Sequence, residues 1–203
     1  MFGLKLRSRL DQKEVSGPEF FELLEEAEDT KNLQPGEGFH QIISTLSKNK
    51  KDIGEFTKDL FSLISEELQI CQGAFFLKEK REEAYWFCFK GGFAHHKSPE
   101  NSCEYRVGEG LVGQVAKDGI SVNFNSVPEG FMTVLSGLGE ASPKALMIFP
   151  VSVEDQVLAV VELASFHPFT ETDVALAKQL GSSLGPICSR YMNTNSCSKK
   201  DES

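Results

Sequence analysis

Residues 108–113 read Gly-Glu-Gly-Leu-Val-Gly, and their setting decides between two unrelated fold classes. The spacing fits the Gly-x-Gly-x-x-Gly fingerprint of a dinucleotide site. That site needs a buried parallel strand before the glycines, a full helix after them whose N-terminus faces the pyrophosphate, and an acidic residue about 20 positions on. The flanks do not supply this. The segment before the glycines, residues 103–107, is short and carries Glu104 and Arg106, unlike the near-continuous apolar run of a strand covered on both faces. The segment after them, residues 111–117, meets Asp118-Gly119 after about two helical turns. Glu129 stands near the position of the ribose acid, but Pro128 and Gly130 place it in a loop. The glycines therefore read as a turn that leads a strand sharply into a short helix packed close to a sheet.

At 203 residues the chain fits one domain with extensions, and 40% hydrophobic residues are enough for a sizeable core. Lys and Arg total 21 against 30 Asp and Glu, and the net charge of -9 opposes attraction to phosphate backbones, so nucleic acid is not an expected partner. The five cysteines, Cys71, Cys88, Cys103, Cys188 and Cys197, show no zinc-type spacing and read as reduced thiols of a cytoplasmic protein. Residues 1–10 alternate Phe2, Leu4 and Leu6 with Lys5, Arg7 and Arg9, which is no signal peptide; contact with a membrane surface and pairing as a strand stay open, and a frayed terminus is the preferred reading. No stretch is long enough to span a bilayer.

Helical periodicity comes first. Residues 19–29 put Phe20, Phe21, Leu23, Leu24 and Ala27 on one stripe among acidic residues, an amphipathic helix that needs a partner surface. After the break at Pro35-Gly36, Phe39, Ile42, Ile43 and Leu46 form a second stripe, and Ile53, Phe56, Leu60, Leu63 and Ile64 a third. Asp52 and Glu55 resemble a capping box for that third helix. The period then changes. Residues 73–78 and 84–90 are aromatic-rich runs separated by polar residues 79–83, a hairpin; in the second run Tyr85, Phe87 and Phe89 face one way, Trp86 and Cys88 the other. A polar stretch, residues 91–102, leads to the short strand, the glycine turn, the short helix and a strand at residues 120–124.

Residues 125–144 form a long connection carrying Phe131, Met132, Val134, Leu135 and Leu138, too apolar for simple disorder and expected to fold over something. Residues 145–153 and 156–164 make the strongest strand pair, joined at Glu154-Asp155. The closing helix starts with Thr170 as N-cap, Asp173 three residues on, and Phe169 placed to staple onto Val174. Gly185-Pro186 should end or kink it, and residues 193–203 read as a polar tail.

This order makes an α+β layer with an antiparallel sheet. It resembles a GAF domain over residues 38–191. The most specific pieces are YRVGEGLVGQVAKDGISV at residues 105–122, similar to the family's glycine turn and short helix, and residues 145–184, similar to its late hairpin with the Pro168-Phe169-Thr170 entry into the closing helix. The resemblance implies a single domain at residues 36–192, after an N-terminal extension at 1–35 and before the tail at 193–203. It implies a central antiparallel sheet of about six strands, with helices on one face and the long loop and short helix on the other. It also implies a sensory or dimerisation module, often holding a small ligand between the sheet and the loop.

The family's subclasses are tested against these residues. For cyclic-nucleotide binders, Phe169 and Asp173 keep the motif's spacing, but Val174 stands in place of the Glu and Ser165-Phe166 in place of the Asn-Lys. Residues 125–144 hold no cysteine for a bilin or for the redox centre of the branch that reduces free methionine sulfoxide, and Val112 and Gly113 occupy that branch's other region. No catalytic residue is assigned, and an activated nucleophile beside a base is missing. His95-His96 with Cys103 read as a solvated loop, so no metal site is assigned. The candidate ligand pocket is Phe124, Phe131, Met132, Leu135, Met147, Phe149 and Glu162; Glu162 interrupts an apolar run, and a buried carboxylate needs a partner. The cofactor is left open.

The expected function is a non-catalytic ligand-sensing or dimerisation module, a homodimer through its flanking helices, passing its signal to a separate partner because no output domain follows. The alternatives are an interaction scaffold whose pocket is filled by its own side chains, and a methionine sulfoxide reductase working through Cys103 or Cys71.

Overall fold

The computed structural model describes residues 37–48, 50, 52–94, 104–128, 130–136 and 139–197. The helix expected at residues 19–29, the basic decapeptide, and His95, His96, Cys103 and Glu129 lie outside them. Chain contacts divide the protein between Asn49 and Lys50. Helix α1 (Glu37–Lys48) belongs to the first unit and realises the second expected stripe.

The second unit holds the sheet. After α2 (Ile53–Ile64) come β1 (Ile70–Arg81), β2 (Ala84–Phe93), β3 (Glu104–Arg106), α3 (Gly110–Asp118) and β4 (Val122–Phe124). A small ribbon, β5 (Val134–Ser136) with β6 (Gly139–Ala141), precedes β7 (Ala145–Val153), β8 (Gln156–Ser165) and the closing helix α4 (Glu171–Cys197). Six strands pair in the order β3-β2-β1-β8-β7-β4, every neighbour antiparallel. The two edge strands are only three residues long, which limits the unpaired backbone offered to other chains.

Strand alternation sorts the core into two layers. One face carries Phe75, Met147, Phe149 and Val161, nearly or fully buried against α2 and α4. Close approach is part of the design there. A Cβ on Gly73 would enter the ring of Phe61 on α2, and one on Gly181 would stand 2.8 Å from the carbonyl of Pro150 on β7. The other face carries Ala74, Phe76, Phe87, Leu146, Ile148, Val160 and Ala164 under Val112, Val115 and Ala116 of α3. Tyr191 donates its hydroxyl to the Lys50 carbonyl at 2.9 Å, so the last helix closes back on the first residue of this unit.

Several sequence expectations are corrected. Strand β1 continues through Glu79, Lys80 and Arg81, so the hairpin turn is Glu82-Glu83 rather than residues 79–83. The polar ends of both strands are stabilised by charge pairing: Arg81 donates to Glu104 at 2.7 and 2.8 Å, and Lys90 donates to Glu79. Helix α4 does not stop at Gly185-Pro186 but runs on to Cys197, into the expected tail. Pro186 is exposed, and so is Ser182, whose carbonyl loses its intrahelical donor to the ring and can turn to water. Meanwhile Leu184, Ile187 and Cys188 hold that turn against the sheet.

The caps differ in detail. Asp52 caps α2 by accepting from the Gly54 amide at 3.1 Å, without a reciprocal bond from Glu55. At α4 the box is complete: Thr170 N–H donates to the Asp173 carboxylate at 2.7 Å, and Asp173 N–H donates to the Thr170 hydroxyl at 3.3 Å. Phe169 is buried while Val174 is 37% exposed, so Phe169 anchors the entry through the core rather than through a staple onto Val174.

Candidate functional site

The glycine turn shapes one wall of the candidate site. Gly108 and Gly110 have φ of 87° and 60°, in the left-handed region that favours glycine. A Cβ on Gly113 would overlap the Arg106 carbonyl, so the third glycine lets α3 lie against β3. The strand before the turn is a three-residue antiparallel edge, not a buried parallel strand, and α3 ends nine residues later on Gly119 in the left-handed conformation. The dinucleotide setting is therefore missing in space as well as in sequence.

The described residues of the segment 125–144 bring Val127 and Met132 onto the same face. Asn125 locks the start of this segment to the entry of α4: its Nδ2 donates to the Phe169 carbonyl at 3.1 Å, and its Oδ1 accepts from the Phe169 amide at 2.9 Å. The Val127 amide donates to the Lys144 carbonyl at 3.1 Å, closing the segment's base. Between these ties Val127 and Met132 pack on the apolar cluster beneath α3. The connection expected to be a loop contains the β5–β6 ribbon, with Val134 opposite Ala141 and Ser136 opposite Gly139.

Glu162 stands on this face. Its register partners are Ala74 on β1 and Ile148 on β7, both buried members of the cluster. Glu162 is half-buried by exposure, and desolvation on this apolar face, with no hydrogen bond or charge from the described residues opposing it, pushes its carboxyl up to about 7. Gln72, two residues before Ala74 on β1, pairs with Ala164 and so shares the face; its Oε1 is buried and has no hydrogen-bond partner. An unpartnered buried polar atom of this kind costs on the order of 1–3 kcal/mol, and native structures keep few of them.

The candidate pocket residues divide. Met132 and Glu162 share the α3 face, and Phe124 lies at its edge, in register with Leu146 and 42% exposed. Phe131 and Leu135 are 55% and 56% exposed. Met147 and Phe149 are on the opposite face, buried toward α4, because side chains one residue apart on a strand point to opposite sides. Sequence reading missed Gln72 because it began the strand at Gly73; the apolar Ile70 was the signal that the strand starts earlier.

The thiols of Cys71, Cys88 and Cys188 lack activation. Cys71 is half-buried and its pKa is raised by desolvation; burial lifts Cys88 to about 11 and Cys188 to about 12. A redox nucleophile needs the reverse shift. Among the described residues no three His, Cys, Asp or Glu side chains come together in a metal-binding group.

A separate open recess of about 570 Å³ is lined by Trp86, Glu104, Arg106, Val107, Gly108 and Glu109. Arg81 and Arg106 stack on the Trp86 ring at 5.9 and 4.7 Å, and Arg81 is already engaged by Glu104 and by Glu79 at 3.4 Å. Burial works against the Glu79 carboxylate, but hydrogen bonds from Lys90 and Arg81 outweigh it and hold its pKa down. This cluster clasps the β3 edge onto the sheet.

Residues 50–187 match the family model described as GAF domain. The fold is similar to that of the GAF domain from an Acinetobacter phosphoenolpyruvate-protein phosphotransferase, at 14% identity and a TM-score of 0.61, covering 81% of this chain and 99% of that one. It is similar to the corresponding Coxiella burnetii domain, at 15% identity and a TM-score of 0.62, covering 77% of this chain and 94% of that one. It is also similar to the free methionine-R-sulfoxide reductase of Neisseria meningitidis, solved in complex with its substrate, at 16% identity and a TM-score of 0.57, covering 78% of this chain and 91% of that one. No curated protein matches the sequence.

Proposed function

The chain belongs to the GAF domain family, and on that premise we propose that it is a non-catalytic module that senses a small molecule beneath residues 125–144 and signals through a separate partner. GAF domains often act in signalling or ligand binding. The observation that carries the reading is the buried Gln72 Oε1, which has no hydrogen-bond partner, beside the half-buried carboxylate of Glu162 on a face otherwise built from apolar groups. A fold that leaves such an atom unsatisfied loses stability unless something else supplies its partner. Assembly through the flanking helices completes the proposal.

A calorimetric metabolite screen on the full chain, with native mass spectrometry at micromolar concentration, tests both halves. The expected results are a stabilising ligand and a dimer. A monomer that no compound stabilises would overturn the reading.

The scaffold alternative draws on Val127 and Met132, which fill part of the same face. The reductase alternative draws on likeness of fold, while the thiols of Cys71, Cys88 and Cys188 are shifted toward the inert form. Turnover of free methionine sulfoxide that disappears in Cys71→Ser or Cys103→Ser would establish it against our reading.

A further inference from the structure

The chemistry of Gln72 and Glu162 restricts what they can receive. On the antiparallel β1–β8 pair, Ala74 faces Glu162 and Gln72 faces Ala164, so Gln72 and Glu162 are diagonal neighbours on one face. Such positions lie roughly 7 Å apart at the backbone, within the combined reach of two long side chains. The buried Gln72 atom is an oxygen, and an ionised Glu162 offers only oxygens, so both present acceptors.

Among the described residues no charge shifts the Glu162 titration, and desolvation is its one cause. The Lys78 ammonium, in register with Phe87 on this side of the hairpin, lies over the Tyr85 ring at 4.3 Å. A hard divalent cation such as Ca2+ or Mg2+ would need about six oxygen ligands, and zinc about four, mostly from Cys or His; an anion would be repelled. A neutral donor would satisfy the hydrogen bonds but leave an ionised Glu162 without an opposite charge. The surrounding wall, with Phe76, Ile148, Val127 and Met132, is apolar.

We propose that Glu162 and Gln72 together receive the head of a small organic cation, an alkylguanidinium or alkylammonium, whose N–H groups donate to both side chains while its apolar stem lies against Val127 and Met132. This rests on the ligand-sensing reading above and adds to it the class of ligand and the two residues that select it. The guanidinium is the better fit, since its planar fork can address two acceptors at once.

The test is titration calorimetry with thermal denaturation of the full chain, using butylguanidinium and butylammonium as probes and butan-1-ol as the uncharged stem. Wild type, Glu162→Gln and Gln72→Met are compared. Both substitutions replace a side chain with one of similar size, and circular dichroism of the ligand-free variants checks that they fold. The expected result is that the cations bind wild type, butylguanidinium more tightly, while butan-1-ol does not. Glu162→Gln should weaken cation binding at least tenfold and Gln72→Met about threefold or more.

Equal binding of butylguanidinium to wild type and Glu162→Gln, or none to wild type, would overturn the proposal. So would a crystal structure at saturating butylguanidinium showing only ordered water between Gln72 and Glu162. If a metabolite screen instead yields an uncharged stabiliser that protects the 127–132 backbone and binds Glu162→Gln unchanged, the sensing reading stands and the cation proposal falls. If nothing binds, both fall.

Discussion

Glu162 leaves a pH signature that needs no ligand to detect. Burial raises its folded pKa from an ordinary 4.5 to about 7. Because the folded protein holds this proton more tightly than the unfolded chain, the side chain's contribution to stability is complete below pH 4.5 and is lost as pH rises through about 7. Glu79 and Glu104 have lowered pKa values and act with the opposite sign, losing stability as the solution is acidified below the carboxylate range. The diagnostic is therefore a difference: wild type minus Glu162→Gln, followed by urea denaturation from pH 4.5 to 7.5. Wild type should lose stability relative to the variant with a slope of at most about 1.4 kcal/mol per pH unit; a flat difference would contradict the burial of Glu162. At this scale the sequence was partly legible. Glu162 was visible as the one charge in an apolar strand. Gln72 was not, because its meaning depends on cross-strand register. Met147 and Phe149 were grouped with Glu162 by hydrophobicity, and strand parity separates them.

Elements were more legible than their ends. The amphipathic stripe of α2, the capping box of α4 and the β7–β8 turn at Glu154-Asp155 all follow local rules that tertiary structure does not override. Where a boundary depended on a partner, local reading failed. Strand β1 extends across charged residues because β2 and β3 supply the opposite charges, and α4 crosses Pro186 because the sheet holds its apolar side. Helix α4 also offers a test in which two effects compete. Alanine has a helix propensity about 1 kcal/mol better than glycine. At Gly185, however, a Cβ would stand 2.8 Å from the Ser152 carbonyl and 2.8 Å from Val153 Cγ2, so α4 would have to lift from β7. Overpacking of this kind costs roughly 1–3 kcal/mol. Gly185→Ala should therefore destabilise the protein in thermal denaturation despite its gain in propensity, and a rise in Tm would show that α4 is more loosely seated than the contacts imply.

For the molecule as a whole, the α+β class and the antiparallel sheet were readable from the order of periodicities, the helices on one face came from the family resemblance, and the family match at residues 50–187 agrees with the fold. The strand order was not legible, because pairs such as β1 with β8 join residues far apart in the chain. The segment 125–144 illustrates the same limit: nothing local in it announces that its first side chain grips the start of the last helix. Asn125 holds both the amide and the carbonyl of Phe169, 44 positions away. Each bond is worth about 1 kcal/mol, so Asn125→Ala should cost roughly 2 kcal/mol in denaturant unfolding, and hydrogen exchange should quicken at Val127 and at the first turn of α4 together. Acceleration confined to one of them would show that the two are not mechanically joined. If they are joined, this one amide works as a linchpin: whatever shifts Asn125 pulls on the root of a 27-residue helix, and a small displacement there is delivered as leverage at the helix's other end.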